Sequence, residues 1–164
     1  MKVGLTGHSG AIGTEIVKLL GEENVKGFSR SNGYNIRDSI DKIIIESYDC
    51  DVFINLANDG FASTELLIEL YDDWRDEPKQ IINVGSAIAD YYDMRVELAQ
   101  YAAEKAALKH VAKIMNHDDG TCLSRYVSFG YIDTPKMRAK YPEAKDLMST
   151  EEAAKIICSL ITNT

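Results

Sequence analysis

The chain has 164 residues, 45% hydrophobic and 27% charged, with a formal charge of −8. That size and apolar content suit one domain with a real core, expected to span residues 1–164. The acidic balance argues against a nucleic-acid partner, which is held by clustered Lys and Arg, and reads instead as a solvated surface.

No apolar run approaches membrane-spanning length, so no membrane partner is expected. Cys50, Cys122 and Cys158 are scattered and odd in number, and His8, His110 and His117 show no ligand spacing. Neither a disulfide nor a metal site is expected, and buried thiols in a reducing compartment fit better. MKVGLTG enters a strand-and-glycine pattern directly, without the look of a leader, which points to a cytoplasmic protein.

In chain order, KVGLTG reads as a short buried strand. Ile12, Ile16, Leu19 and Leu20 then fall at helical spacing, with Gly21 as a stop. NVKGF is a second strand, SRSNGY turns the chain, and a short third strand is expected at Tyr34 to Ile36. Ser39 to Tyr48 is helical, and DVFINLA is a buried strand. Phe61 to Trp74 is a helix whose apolar arc, Leu66, Leu70 and Trp74 with Leu67 and Tyr71, is wider than one buried face needs. KQIINVGS is a strand, Arg95 to Asn116 a long helix, and TCLSRYVSF another strand. STEEAAKIICSLI closes as a helix with Ser149 or Thr150 as N-cap. Strands alternating with helices predict an α/β fold: a doubly wound, Rossmann-type parallel sheet of about six strands, helices on both faces.

TGHSGAIG joins the first strand to the first helix, with Gly7, Gly10 and Gly13 three residues apart. Glycines there permit a tight turn and let backbone N–H groups meet a pyrophosphate at the helix N-terminus. Ser9 and Ile12 belong to the same loop. About 20 residues on, where an acid would meet the adenosine ribose, the chain offers Ser29, Arg30 and Ser31. A guanidinium pairs with a phosphate in a forked geometry, so NADP(H) is expected in preference to NAD(H), with NAD(H) still admissible.

In YAAEKAAL, Tyr101 and Lys105 stand four residues apart and share a helix face. A phenol keeps its proton until about pH 10, and a nearby ammonium favours the phenolate, which makes such a pair a usable proton donor and acceptor. Ser86 ends the strand KQIINVGS, at the side of a parallel sheet where ligands bind.

Taken with INLAN, INVGS and SFGYIDTP, in that order, these pieces resemble the short-chain dehydrogenase/reductase family over nearly the whole chain. The resemblance implies that Tyr101 transfers the proton, and that Lys105 holds the nicotinamide ribose while favouring the phenolate. It implies that Ser86 bonds the substrate oxygen. Ile132 and Thr134 would hold the nicotinamide carboxamide, Ala57 and Asn58 would line the cofactor, and Asn35 and Ile36 would meet the adenine. The substrate is then a small carbonyl compound or alcohol.

The chain departs from the pattern at Asn55-Leu56-Ala57-Asn58 and at Phe129-Gly130. It has no asparagine between Asp59 and Gln80 for a proton relay. It is short for the family, with no seventh strand and only KMRAKYPEAKDLM as a lid. A dinucleotide sensor without turnover is therefore an alternative. A nucleotide-sugar epimerase or dehydratase, suggested by the glycine spacing, is a further one. The wide arc on 61–74 and the alanine-rich helix at 95–116 suggest a homodimer through these two helices.

Overall fold

A computed structural model describes residues 1–91 and 95–162. Five parallel strands form one sheet in the order β2-β1-β3-β4-β5. They are β1 (Val3–Thr6), β2 (Val25–Phe28), β3 (Val52–Asn55), β4 (Gln80–Ser86) and β5 (Leu123–Phe129). The helices are α1 (Ala11–Leu20), α2 (Ile40–Glu46), α3 (Ala62–Trp74), α4 (Ala99–Met115), α5 (Pro135–Lys140) and α6 (Thr150–Ser159). Among the described residues no helix is long and apolar enough to cross a membrane.

The sheet has one strand fewer than the six expected. Tyr34 to Ile36 forms no strand, because Ser29 and Asn32 cap each other in a 3-10 turn that carries the chain off the sheet edge. Asn35 then starts another short turn, closed by its amide donating to Asp38. Ile36 is buried as a single anchor and not as part of a ladder.

Side chains alternate across each strand, so one apolar run feeds two cores. Val3, Leu5, Val52, Ile54, Ile82 and Val84 pack on the face covered by α1 and α6, with Ile16 and Ile157. Phe53 and Ile81 point to the other face, under Leu66, Leu70 and Leu108. There the Phe53 ring stacks against Phe28 at 6.1 Å and meets Trp74 edge-on at 6.2 Å. Placing α1 on one face and α2, α3 and α4 on the other follows from right-handed crossovers that first move outward from β1 and then back past it.

The wide arc of α3 is used inside the chain. Leu66, Leu67, Leu70, Tyr71 and Trp74 are all buried, because α3 lies on the sheet between α2 and α4 and is covered on three sides. Its width therefore needs no second copy to explain it. At the C-terminus Ser149, not Thr150, is the N-cap of α6, its hydroxyl accepting from the Glu152 N–H at 3.0 Å. The lid segment contains α5, a helix the sequence pattern did not predict. Pro135 opens it and the Thr134 hydroxyl caps it by accepting from the Met137 N–H.

Candidate functional site

The chain leaves β1 for β2 on one side and returns to β3 on the other, so the loops after β1 and β3 part and leave a crevice at the strand C-termini. It is a cleft of about 880 Å³. Its walls include Gly7, Ser9, Gly10, Ile12 and Gly13 from the first loop, and Ser29, Arg30 and Ser31 from the end of β2. Asn35 and Ile36, Ala57 and Asn58, and Thr134 also line it. Three proposed cofactor contacts, Tyr101, Lys105 and Ile132, are not among its walls.

The glycine loop folds back on the sheet. The Gly7 N–H donates to the Phe28 carbonyl at 2.7 Å and the Gly10 N–H to the Gly7 carbonyl at 2.9 Å. A Cβ on Gly13 would lie 2.2 Å from the Gly7 carbonyl oxygen, so α1 reaches the loop this closely only with glycine there. Helix α1 starts at Gly10 with no side-chain cap and no acid in its first turn. Its leading N–H groups and positive dipole end are left to a ligand or solvent at the cleft wall. Gly13→Ala is expected to cost about 1–3 kcal/mol through this clash; an unchanged urea midpoint would contradict the packing. Opposite, the Thr6 hydroxyl accepts from the N–H groups of Leu56 (2.9 Å) and Ala57 (3.0 Å), pinning the β3–α3 loop across the crevice.

At the end of β2 three hydroxyls form a triangle: Ser9 to Ser29 at 3.0 Å, Ser29 to Ser31 at 2.7 Å and Ser31 to Ser9 at 3.1 Å. Arg30 stands exposed beside them, and no acid occurs from Ser29 to Arg37. Farther along the rim, Arg37 Nη2 donates to Asp59 at 2.8 Å and joins the two walls of the cleft.

The second cluster forms at the end of β4. Ser86 is the last residue of that strand, and its hydroxyl accepts from the Ile88 N–H at 3.3 Å, capping the turn Ala87–Asp90. An Asp90–Lys109 ion pair ties that turn to α4. Tyr101 lies in the first turn of α4 and is 38% exposed, whereas Lys105, one turn on, is only 4% exposed. The Lys105 ammonium lies 5.9 Å from the Tyr101 ring centre and faces the Val84 carbonyl at 3.5 Å. The lysine thus reaches the same strand end as Ser86. Burial pulls its pKa down to about 8, against a smaller upward pull from Glu104.

Tyr126 on β5 is a member of this cluster that the sequence pattern did not single out. Among the described residues its hydroxyl is buried without a well-formed hydrogen bond, and it fills the space above Gly85, where a Cβ would come within 1.9 Å of it. Burial pushes its pKa up to about 12, partly opposed by the Ser86 backbone amide. Gly85 within a strand was the signal present, since glycine there often marks a close approach. The three cysteines lie apart from both clusters as free thiols; burial pushes Cys50 up to about 11 and Cys122 to about 12, so they are packing groups and poor nucleophiles.

Beyond β5, Ile132 bridges to Met148, and the Asp133 N–H donates to the Met148 carbonyl at 2.8 Å. Arg138 grips the Asp133 carboxylate through Nε at 2.6 Å and Nη2 at 2.8 Å and donates to the Ala144 carbonyl, which folds the lid back on itself. Helix α5 borders two cavities. Thr134, Pro135 and Lys136 line the cleft, while Met137 and Lys140 line a second cavity of about 860 Å³. Lys136 was not anticipated from sequence.

No protein-family model matches the chain, and no curated protein matches its sequence. Its structure is similar to a short-chain dehydrogenase/reductase family protein, with a TM-score of 0.78 at 17% identity over 97% of this chain and 88% of that one. A short-chain dehydrogenase from Burkholderia cenocepacia, in complex with NADP, superposes with a TM-score of 0.77 at 18% identity, over 100% of this chain and 87% of that one. A 3-alpha-hydroxysteroid dehydrogenase from a Pseudomonas species, complexed with NADH, gives 0.75 at 17% identity over 98% and 89%. The chain therefore has the fold of the short-chain dehydrogenase/reductase proteins.

Proposed function

We propose that the chain is an NADP(H)-dependent oxidoreductase that interconverts a small carbonyl compound and its alcohol. The observation that carries this reading is that two features stand at the same, C-terminal end of the parallel sheet. One is a glycine-walled crevice ending on an uncapped helix N-terminus; the other is a buried lysine that reaches the strand end carrying Ser86. The crevice suits a dinucleotide: its volume lies in the range of cofactor sites. Gly7 to Gly13 would take the pyrophosphate, and Asn35 and Ile36 the adenine. Thr134, whose hydroxyl accepts from Met137 and keeps its own proton to donate, would take the carboxamide with Ile132.

When bound, NADP(H) supplies or accepts the hydride. Tyr101 gives its proton to the carbonyl oxygen as negative charge builds there, and takes it back from the alcohol in reverse. Each reduction thus consumes one NADPH and one proton. Ser86 accepts from Ile88, which leaves its hydroxyl proton free for the same oxygen. Lys105 holds a positive charge at this strand end below about pH 8.

The serine triangle and Arg30 would receive the adenosine 2′-phosphate, in place of the acid that would repel it. Arg30→Ala is expected to weaken NADPH binding about tenfold and leave NADH binding unchanged. Equal losses for the two cofactors would remove the NADP(H) preference.

A panel of small aldehydes and ketones, followed by NADPH absorbance, tests the reaction. One observation favours a second reading, a dinucleotide-binding sensor: neither Ser86 nor Tyr101 lines the cleft. Tight NADPH binding with no oxidation across the panel would select it. A homodimer through α3 and α4 belongs to the same proposal and rests on Phe61, Ile68 and Ile114, exposed apolar residues on or beside those helices. A monomeric solution mass would remove it.

A further inference from the structure

The cavity lined by Met137 and Lys140 of α5 shares no wall residue with the cleft, and it adjoins the proposed chemistry on two sides. Leu98 in its wall is three residues before Tyr101, and Tyr131 is one residue before Ile132. It lies between the segment that enters α4 and the segment that leaves β5, with α5 bordering both it and the cleft. Its walls are largely apolar and aromatic: Leu98, Met137, Tyr131 and Tyr141.

Two cations stand among them. Arg95 Nη2 donates to the Tyr141 hydroxyl at 3.3 Å, and the Lys140 ammonium lies 5.3 Å from the centre of the same ring. Among the described residues Glu143 is the carboxylate of the wall, so there cations outnumber acids two to one on a molecule of net charge −8. Among the described residues Arg95 bonds a neutral phenol, not a carboxylate. Most of its five N–H donors remain for a planar anion. An acidic protein repels small anions in general, so a cationic, aromatic-walled cavity beside the reaction centre selects for them locally.

We propose that this cavity takes an oxo acid with an aromatic or branched body, its carboxylate pairing with Arg95 while Leu98, Met137, Tyr131 and Tyr141 enclose the apolar part. The assignment rests on the oxidoreductase reading above. It makes Arg95 a specificity-determining residue, chosen for the fork that a lysine lacks.

The test uses the full-length protein and a pair that cannot turn over. Phenylpyruvate is titrated calorimetrically into the protein saturated with NADP+, beside benzyl methyl ketone, which has methyl in place of the carboxylate. The acid is expected to bind at least about tenfold tighter than the ketone. Arg95→Gln is expected to erase that advantage without changing the ketone's affinity, and Arg95→Lys to restore only part of it. Equal affinities for acid and ketone, no binding of the acid, or equal loss of both ligands in Arg95→Gln would each overturn the proposal. The preceding NADP+ titration separates the two readings. If NADP+ binds and the acid shows no preference, the substrate class falls and the cofactor reading stands; if NADP+ does not bind, both fall.

Discussion

Tyr101→Phe is expected to lower carbonyl reduction by about 10²–10⁴-fold, the usual contribution of a positioned proton donor. NADPH binding is expected to stay close to wild type, because Tyr101 is not among the walls of the cleft. Stability is expected to change by less than about 0.5 kcal/mol, since the ring is partly exposed and the hydroxyl has no hydrogen bond among the described residues. Steady-state rates on an active carbonyl substrate, with NADPH binding measured in parallel, check this. Turnover within a factor of a few of wild type would show that the proton comes from elsewhere, and Tyr126, buried nearby above Gly85, would be the next residue to change.

Lys105→Met is expected to move activity and stability in opposite directions. The ammonium is buried with a long contact to Val84 and, among the described residues, no carboxylate bonded to it. Burial lowers its pKa from the ordinary lysine value of 10.5 to about 8 in the fold. The folded state therefore holds this proton less tightly than the unfolded chain. The penalty is full below about pH 8, shrinks as pH rises toward 10.5, and vanishes above it. The difference between those pKa values corresponds to roughly 3 kcal/mol near neutrality. Methionine, similar in length and apolar, removes the cost, so the variant is expected to be more stable near pH 7 by up to about that amount, with the gain fading toward about pH 10. Turnover falls sharply, because the positive charge at this strand end is gone. Urea midpoints at the two pH values check it. A variant less stable than wild type near neutrality would mean that the lysine has a partner strong enough to offset its burial. A residue kept at such a cost to the fold is what a functional site predicts.

Much of the fold was legible because it depends on local pattern. Each buried run that became a strand is short and apolar, and the helices between them carry their own periodicity. Two readings failed where tertiary context decided. Tyr34 to Ile36 looked extended, but the reciprocal Ser29–Asn32 cap turns the chain away there, so among the described residues the outer edge of β2 stays unpaired. The arc of α3 looked too wide for one buried face, yet a helix flanked by α2 and α4 on a sheet needs that width. Thr134-Pro135 carried the signal for α5, a cap followed by a first helical residue, in a segment whose apolar periodicity is too short to mark a helix.

The candidate site divides in the same way. Gly7, Gly10 and Gly13 were readable because backbone geometry leaves a mark in sequence. The serine triangle was half readable: Ser29 and Ser31 follow the second strand, but only the fold brings Ser9 across from a different loop. Arg95 and Lys136 were not readable, and Tyr126 only indirectly, through Gly85 opposite it. Each takes its place from register or from how α4, β5 and α5 meet, and none stands in a spacing that sets it apart from surface or core.

The proposed reaction depends on a dinucleotide in the crevice between the loops after β1 and β3. Equilibrium titration of the wild-type protein with NADPH, read by the fluorescence of the bound nicotinamide and competed with NADP+, decides whether it binds. Saturable binding of one NADPH per chain, displaced by NADP+ and weakened by Gly13→Ala, is the predicted result. A linear, unsaturable signal that NADP+ does not displace would contradict it.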